Sequence, residues 1–203
     1  ILAEDRLVLC TPYNVIIALD PGTGAEIWRH DPKIDLAQRP GNKFTCRGVA
    51  YWRNPVAAED AQCAARILTG TNDHRLVAID LKDGAPCAAF GDKGEVKVDP
   101  QFELQWPGEF QITSAPVILG DTVVVGSAIS DNVSVEAPRG AVRAFDVRTG
   151  AAKWSFDPIP REAAAAAALG WKGAGVPIEG HANVWAPMSA DPARGLLFLP
   201  TSS

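Results

Sequence analysis

The 203-residue sequence has no apolar run near the ~18 residues a membrane-spanning helix needs, so it holds no span of that kind. It has no excess of positive charge. Nineteen Lys and Arg stand against 24 Asp and Glu, for a net charge of −5 and a pI near 5.2. No basic stripe is available to track phosphates, which argues against a nucleic-acid partner. Cys-x-x-Cys-His is absent, and with it any c-type haem attachment. The three histidines, His30, His74 and His181, lack metal-ligand spacing. Gly22-Thr23-Gly24 lacks the third glycine and the following helix of a dinucleotide loop. The sequence begins at Ile1 without Met, and both ends read as cuts through a longer chain. The expectation is therefore a piece of a larger protein, whose missing leader decides nothing about export.

What is present is an ordinary globular composition, 47% hydrophobic and 21% charged. Eighteen Gly and 16 Pro together outnumber the acids and the bases taken separately. Helical bundles do not need that many turns, whereas sheets with many hairpins do.

Three segments are alike. The first runs Ala18-Leu19-Asp20-Pro21-Gly22-Thr23-Gly24 and continues to Trp28. The second runs Ala78-Ile79-Asp80-Leu81-Lys82-Asp83-Gly84 and continues to Phe90. The third runs Ala144-Phe145-Asp146-Val147-Arg148-Thr149-Gly150 and continues to Trp154. The first and third also share a following Asp-Pro, at Asp31-Pro32 and Asp157-Pro158. In each copy an apolar stretch reads as a strand. The Asp carboxylate suits the N–H groups of a turn, and Gly suits the positive φ that the turn requires. A second strand then returns with its aromatic on the buried face, so each copy is expected to be a tight hairpin, with Trp28 and Trp154 in the core.

Strand runs precede the copies, at residues 66–70 and 117–126. Four short strands per unit of ~60 residues is the pattern of a β-propeller blade. Blades are stable only when neighbours cover each other's faces. A single β-sandwich is the competing architecture, and likeness over about eleven positions in three copies favours the repeats. The expected fold is all-β: a partial eight-bladed propeller of four-stranded antiparallel blades, about three of them present, with residues 1–203 a fragment of one propeller domain. Residues 29–62 and 155–183 interrupt the pattern, and the alanine run 163–168 reads as a short helix ended by Gly170. Cys63 and Cys87 bracket two strands of one hairpin, so they could meet and bond, as suits an exported protein. Free buried thiols at all four cysteines are the other reading.

At these residues the sequence resembles the quinoprotein dehydrogenases that use pyrroloquinoline quinone (PQQ), and within them the membrane-bound glucose dehydrogenase branch. The likeness spans Thr45-Cys46-Arg47-Gly48-Val49-Ala50-Tyr51, Thr113-Ser114-Ala115-Pro116, Ser130-Asp131-Asn132 and Asn183-Val184-Trp185-Ala186-Pro187. PQQ is a flat ortho-quinone with three carboxylates. It asks for an aromatic floor, cationic or polar donors, and a divalent metal. The resemblance implies Trp185 as the stacking indole, Arg47 as the guanidinium on quinone or carboxylate oxygens, and Thr113 as a hydroxyl donor. It implies Asp131 and Asn132 beside Ca²⁺ or Mg²⁺, with Asp131 also near the cofactor and Glu136 a further oxygen donor.

The family's catalytic Asp, which takes the hydroxyl proton as hydride passes to the quinone, has no match here. The fragment alone is therefore expected to be inactive. Two departures stand out. Gly41-Asn42 stands where many alcohol dehydrogenases of the family have adjacent cysteines, and Lys43 where the glucose branch has His. The implied activity is oxidation of a sugar, polyol or cyclic alcohol, with electrons leaving to ubiquinone or a cytochrome. The implied location is the periplasm, with any inner-membrane anchor outside these residues. The alternative is a cofactor-free propeller that serves as a binding or outer-membrane assembly scaffold. Such a scaffold has no use for Arg47, Asp131 and Trp185 near the ring axis.

Overall fold

The structure, a computed structural model, describes residues 1–37, 39–98, 103–130, 132–133, 137–172 and 182–202. The first sheet takes β1 (Leu2–Ala3), β2 (Arg6–Cys10), β3 (Ile16–Leu19) and β4 (Glu26–His30) in chain order. The second takes β5 (Ala50–Arg53), β6 (Ala65–Gly70), β7 (Arg75–Asp80) and β8 (Glu95–Lys97). Next come β9 (Phe110–Gln111), β10 (Val117–Leu119), β11 (Thr122–Val125), β12 (Ala128–Ile129), β13 (Val142–Asp146) and β14 (Ala152–Phe156). Of these, β10, β11, β13 and β14 form the third sheet, while β9 and β12 pair as a separate ribbon. Helix α1 (Ala163–Ala168) and the hairpin of β15 (Ser189–Asp191) and β16 (Leu196–Phe198) follow. All strand pairing in the three sheets is antiparallel. The expected architecture of about three four-stranded blades holds.

The repeat turns form as their residues dictate. Asp20 Oδ1 accepts the N–H groups of Gly22 (3.0 Å) and Thr23 (2.7 Å) and the Thr23 hydroxyl (2.8 Å). Asp146 Oδ1 does the same with Arg148 N–H (2.9 Å), Thr149 N–H (3.0 Å) and the Thr149 hydroxyl (3.2 Å). Gly24, Gly84 and Gly150 close the turns at φ of 73°, 73° and 74°. Donation from the Thr23 hydroxyl and N–H holds the Asp20 carboxyl below its ordinary range. Burial opposes that shift at Asp146, but donors from Thr149 and Arg148 outweigh it. A carboxylate with a depressed folded-state pKa stabilises the fold above its unfolded value. Both turns therefore hold firmly at neutral pH and weaken as pH falls through the lowered values.

Period-two alternation sends the apolar residues of the second sheet to two different partners. Ile67, Val77 and Ile79 pack with Val8, Ile16 and Ala18 of the first sheet. Leu68, Leu76 and Ala78 pack with Val123, Val125 and Phe145 of the third. All of β6 and all but the first residue of β7 are accordingly buried. A third cluster joins Val124, Val142 and Ala144 to Val184, with Met188 and Leu197 against it.

Trp28 fastens the first interface. Its Nε1 donates to the Leu81 carbonyl (2.9 Å), and its ring lies on Gly84, where a Cβ would come within 2.7 Å of it. Burying such an indole stabilises by about 2–3 kcal/mol. Trp154, expected in the core by analogy with Trp28, is instead 44% exposed. The cover over Trp28 is the turn of the following four-stranded sheet. Among the described residues no fourth such sheet follows β14.

The second repeat also departs from the expected hairpin. After Gly84 the chain makes only a bridge between Pro86 and Ile79, and β8 begins ten residues beyond Ala85. Pro86 has no N–H for a ladder, and Cys87 is tied to Cys63. Phe90 still reaches the core, fully buried, from a turn rather than a strand. The Cys63–Cys87 bridge anticipated from the hairpin is present, with Cα atoms 5.8 Å apart.

Two glycines separate backbone strain from sheet docking. A Cβ at Gly24 meets nothing within 4 Å, whereas one at Gly84 strikes the Trp28 ring, both at the same φ. Gly24→Ala is expected to cost about 1–2 kcal/mol from the left-handed backbone alone. Gly84→Ala should cost about 1–3 kcal/mol more through overpacking. Equal shifts of the two denaturation midpoints would show that Trp28 does not dock there.

Candidate cofactor site

Arg47, Thr113, Asn132 and Trp185 line one cavity of about 370 Å³, with Asn42, Asn183 and Ser202 also on its wall. Asp131 and Glu136, read as metal-proximal oxygens, lie outside the described residues. Among the described residues no group of three His, Cys, Asp or Glu side chains could hold a metal ion. Asn132 is the one member of the expected metal pair whose place is described.

The cavity is built from points that recur along the chain. Arg47 precedes β5, Thr113 precedes β10 and Trp185 precedes β15, each by three or four residues. Stacked sheets bring equivalent points of successive repeats to one end of the stack. Backbone contacts then fix each residue. The Arg47 N–H donates to the Thr113 carbonyl (3.0 Å). Gly48, at φ 144°, lets the chain pass Ala115, to which a Cβ would be only 3.3 Å. Trp185 rides on a segment pressed against the third sheet, where a side chain at Gly126 or Gly140 would run into the Val184 or Ala182 carbonyl. Asn183 and Ser202 exchange two backbone hydrogen bonds of 2.8 and 2.9 Å.

The guanidinium of Arg47 lies over the Trp185 indole, 4.9 Å from its centroid. Partial burial lowers the Arg47 pKa, yet an arginine remains charged at any physiological pH. Among the described residues no carboxylate pairs with it. Trp185 keeps 41% of its surface exposed. The Thr113 hydroxyl is buried without a hydrogen-bond partner among the described residues, as are the hydroxyls of Ser114 and Ser127. A charged fork, an aromatic face and the orphaned Thr113 hydroxyl on one concave wall suit a flat, polyanionic aromatic ligand.

Sequence reasoning brought Arg47, Thr113, Asn132 and Trp185 forward, and geometry gathers them. It overlooked Ser202, quoted Asn183 only within a motif, and treated Asn42 only as a departure. It also overlooked the disulfide between Cys10 and Cys46, whose Cα atoms are 6.1 Å apart. That bridge ties the end of β2 to the residue before Arg47. The available signal was position for Asn42 and Asn183, which lie ahead of the first strand of a sheet, whereas Ser202 follows β16 and carried none.

Face-stacked, four-stranded antiparallel meanders with a polar and aromatic cavity at one end are the pattern of part of a β-propeller domain. A family model described as PQQ: glucose/ethanol/alcohol dehydrogenase, β-propeller domain, matches residues 1–203, and the chain belongs to that family. It is 37% identical to the quinate/shikimate dehydrogenase (quinone) of Acinetobacter baylyi, over 98% of this chain and 26% of that protein. It is 32% identical to quinoprotein glucose dehydrogenase A of Acinetobacter calcoaceticus, over 97% of this chain and 25% of that protein. The solved structure of the quinohemoprotein alcohol dehydrogenase ADHIIG of Pseudomonas putida superposes with a TM-score of 0.73 at 27% identity, over 99% of this chain and 27% of that one. The chain thus spans about a quarter of the length of these relatives.

The Cys10–Cys46 bridge closes a loop with a sequence separation of 36. Replacing both cysteines with serine is expected to cost about 3–4 kcal/mol in guanidinium unfolding without reductant. A loss under 1 kcal/mol would mean that the loop carrying Arg47 is ordered without the bridge.

Proposed function

We propose that this chain supplies the PQQ-binding wall of a quinoprotein dehydrogenase that oxidises a sugar, polyol or cyclic alcohol. One observation carries the reading: Arg47, Thr113 and Trp185, far apart in sequence, share one cavity, with a guanidinium over an indole and no described carboxylate to neutralise it. A cofactor-free scaffold has no use for that arrangement.

The residues fit the group. The Trp185 indole offers it a flat apolar face, and Arg47 offers a permanent two-pronged donor for carboxylate or quinone oxygens. The orphaned hydroxyl of Thr113 gains a partner when an anionic oxygen enters. When bound, the ortho-quinone supplies the two-electron acceptor for oxidation of an alcohol carbon. Arg47 holds positive charge where negative charge develops and keeps the ligand from turning in its plane. The guanidinium now covers the indole, so a ligand that stacks on that face moves it to the ring's rim. Asn132, with Asp131, would offer hard oxygen ligands to Ca²⁺ or Mg²⁺.

The relatives' names include glucose, quinate/shikimate and glycerol dehydrogenases. A hydroxylated sugar or cyclic polyol is the substrate class proposed here, with ubiquinone or a cytochrome taking the electrons. The two disulfides support a periplasmic location, because such bridges persist in oxidising compartments.

The test is a titration of the full-length apoprotein with PQQ in the presence of Ca²⁺ or Mg²⁺. Tryptophan fluorescence reports binding, and dye reduction with glucose, quinate or glycerol reports turnover. Saturable quenching and turnover of at least one substrate are expected. Trp185→Ala should weaken PQQ binding about tenfold, given the energy of aromatic stacking. Neither binding nor turnover in the unmodified protein would favour the scaffold. Binding that is undiminished in Trp185→Ala would remove this indole from the site.

A further inference from the structure

Three buried amide side chains run from the first sheet to the cavity wall. Asn14 sits in the turn between β2 and β3, Asn72 in the turn between β6 and β7, and Gln111 on β9. None is more than 5% exposed. Asn72 fills its whole bonding capacity. Its Nδ2 donates to Asn14 Oδ1 (2.6 Å) and to the Pro12 carbonyl (3.1 Å). Its Oδ1 accepts from Gln111 Nε2 (2.7 Å) and from the Thr45 N–H (3.3 Å). Gln111 Nε2 also donates to the Lys43 carbonyl (3.2 Å), while its Oε1 accepts the Asn42 N–H (3.2 Å). Asn14 Oδ1 takes the Asn72 N–H as well (2.9 Å). Each amide's orientation is fixed by its neighbours, since a flip would set donor against donor.

These bonds end on the backbone of residues 42, 43 and 45, immediately before Arg47. This stretch belongs to no strand. Lys43 within it has φ 64°, a left-handed conformation that a lysine holds only when its surroundings impose it. Gln111 grips both sides of that residue, at the Asn42 N–H and the Lys43 carbonyl. Beyond the grip, Asn42 lines the cavity and donates from Nδ2 to the Ile129 carbonyl (3.2 Å). Arg47 follows, held to Thr113. Apolar side chains could fill the same interior space without the desolvation that three amides incur. What they add is direction.

We propose that Asn72 and Gln111 are positioning residues that set the register of the 42–47 loop and thereby place Asn42 and Arg47 on the cavity. The link to ligand binding rests on the cofactor reading given above. The loop's register stands apart from it.

Hydrogen exchange on the full-length apoprotein tests the register first. The amides of Asn42, Thr45 and Arg47 should exchange at least ~tenfold more slowly than those of the loop at 55–62. Equal rates overturn the proposal with no variant needed. In Gln111→Met, which keeps length but loses the amide, exchange at 42–47 should rise about tenfold, with β2, β3 and β11 unchanged. Gln111→Glu keeps an acceptor for the Asn42 N–H but sets a buried carboxylate oxygen against the Lys43 carbonyl and Asn72 Oδ1, so exchange at 42–47 should rise at least as much as in Gln111→Met. PQQ affinity in the presence of Ca²⁺ should drop about tenfold in Gln111→Met. A loosened loop with unaltered PQQ affinity overturns the positioning role. If the unmodified protein binds no PQQ, the cofactor reading fails, and slow exchange at 42–47 that is lost in Gln111→Met still supports the register.

Discussion

A four-stranded sheet with two apolar faces cannot rest in water on either side, and the architecture follows from that. The second sheet shows the constraint most fully. Alternate residues of β6 and β7 face opposite ways, and both sets are buried against neighbouring sheets. At about 25 cal/mol per Å² of apolar surface, such stacking outweighs any single hydrogen bond in the molecule. It also dictates where function can sit. Sheets stacked face to face with the same strand order present the same end of every repeat to a common region. Residues placed just before the first strand of successive sheets therefore converge, whatever their separation in sequence. Arg47, Thr113 and Trp185 occupy that position in turn.

Much of this was legible because it is local. An Asp whose carboxylate accepts turn N–H groups, two at Asp20 and Asp146 and one at Asp80, and a Gly at positive φ specify a turn from within five residues, and all three turns form. Short motifs brought forward the candidate residues Arg47, Thr113, Asn132 and Trp185, and these four share a cavity. Asp131 and Glu136 lie outside the described residues, so their expected roles remain as read from sequence. The failure at Trp154 comes from dependence on a neighbour. Trp28 and Trp154 have the same local context, yet burial of each depends on the next sheet, and only Trp28 has a turn laid over it. Phe90 reached the core without its strand because Pro86 and the Cys63–Cys87 bridge redirect the chain.

The Cys10–Cys46 bridge and the amide chain were illegible for the same reason. Both join segments from different repeats, and no periodicity within one repeat foretells them. Amides are also among the least informative residues in a sequence. An Asn in a turn is ordinary, and only its partners distinguish Asn72 from any other.

The least sheet-like stretch near the cavity carries its most charged group, and that has a physical logic. A residue inside a strand has its direction set by the pleat, alternating between two faces. Arg47 has to point along the end of the stack rather than into either face, so its backbone leaves the ladder. Leaving the ladder forfeits the hydrogen bonds that would order it, and the described residues between 31 and 49 contain no strand to replace them. Order is restored by connections of three kinds: a covalent bridge at Cys46, amide side chains at residues 42, 43 and 45, and backbone bonds from Gly41 to Gly108 and from Arg47 to Thr113. Apolar packing would have ordered the loop only by lining it with greasy side chains beside a polar cavity. Directional bonds fix the backbone and leave the side chains of Asn42 and Arg47 facing the cavity. The bridge limits how far the loop can move. The amides select the conformation it adopts within that range, including the left-handed Lys43 that no local preference would choose.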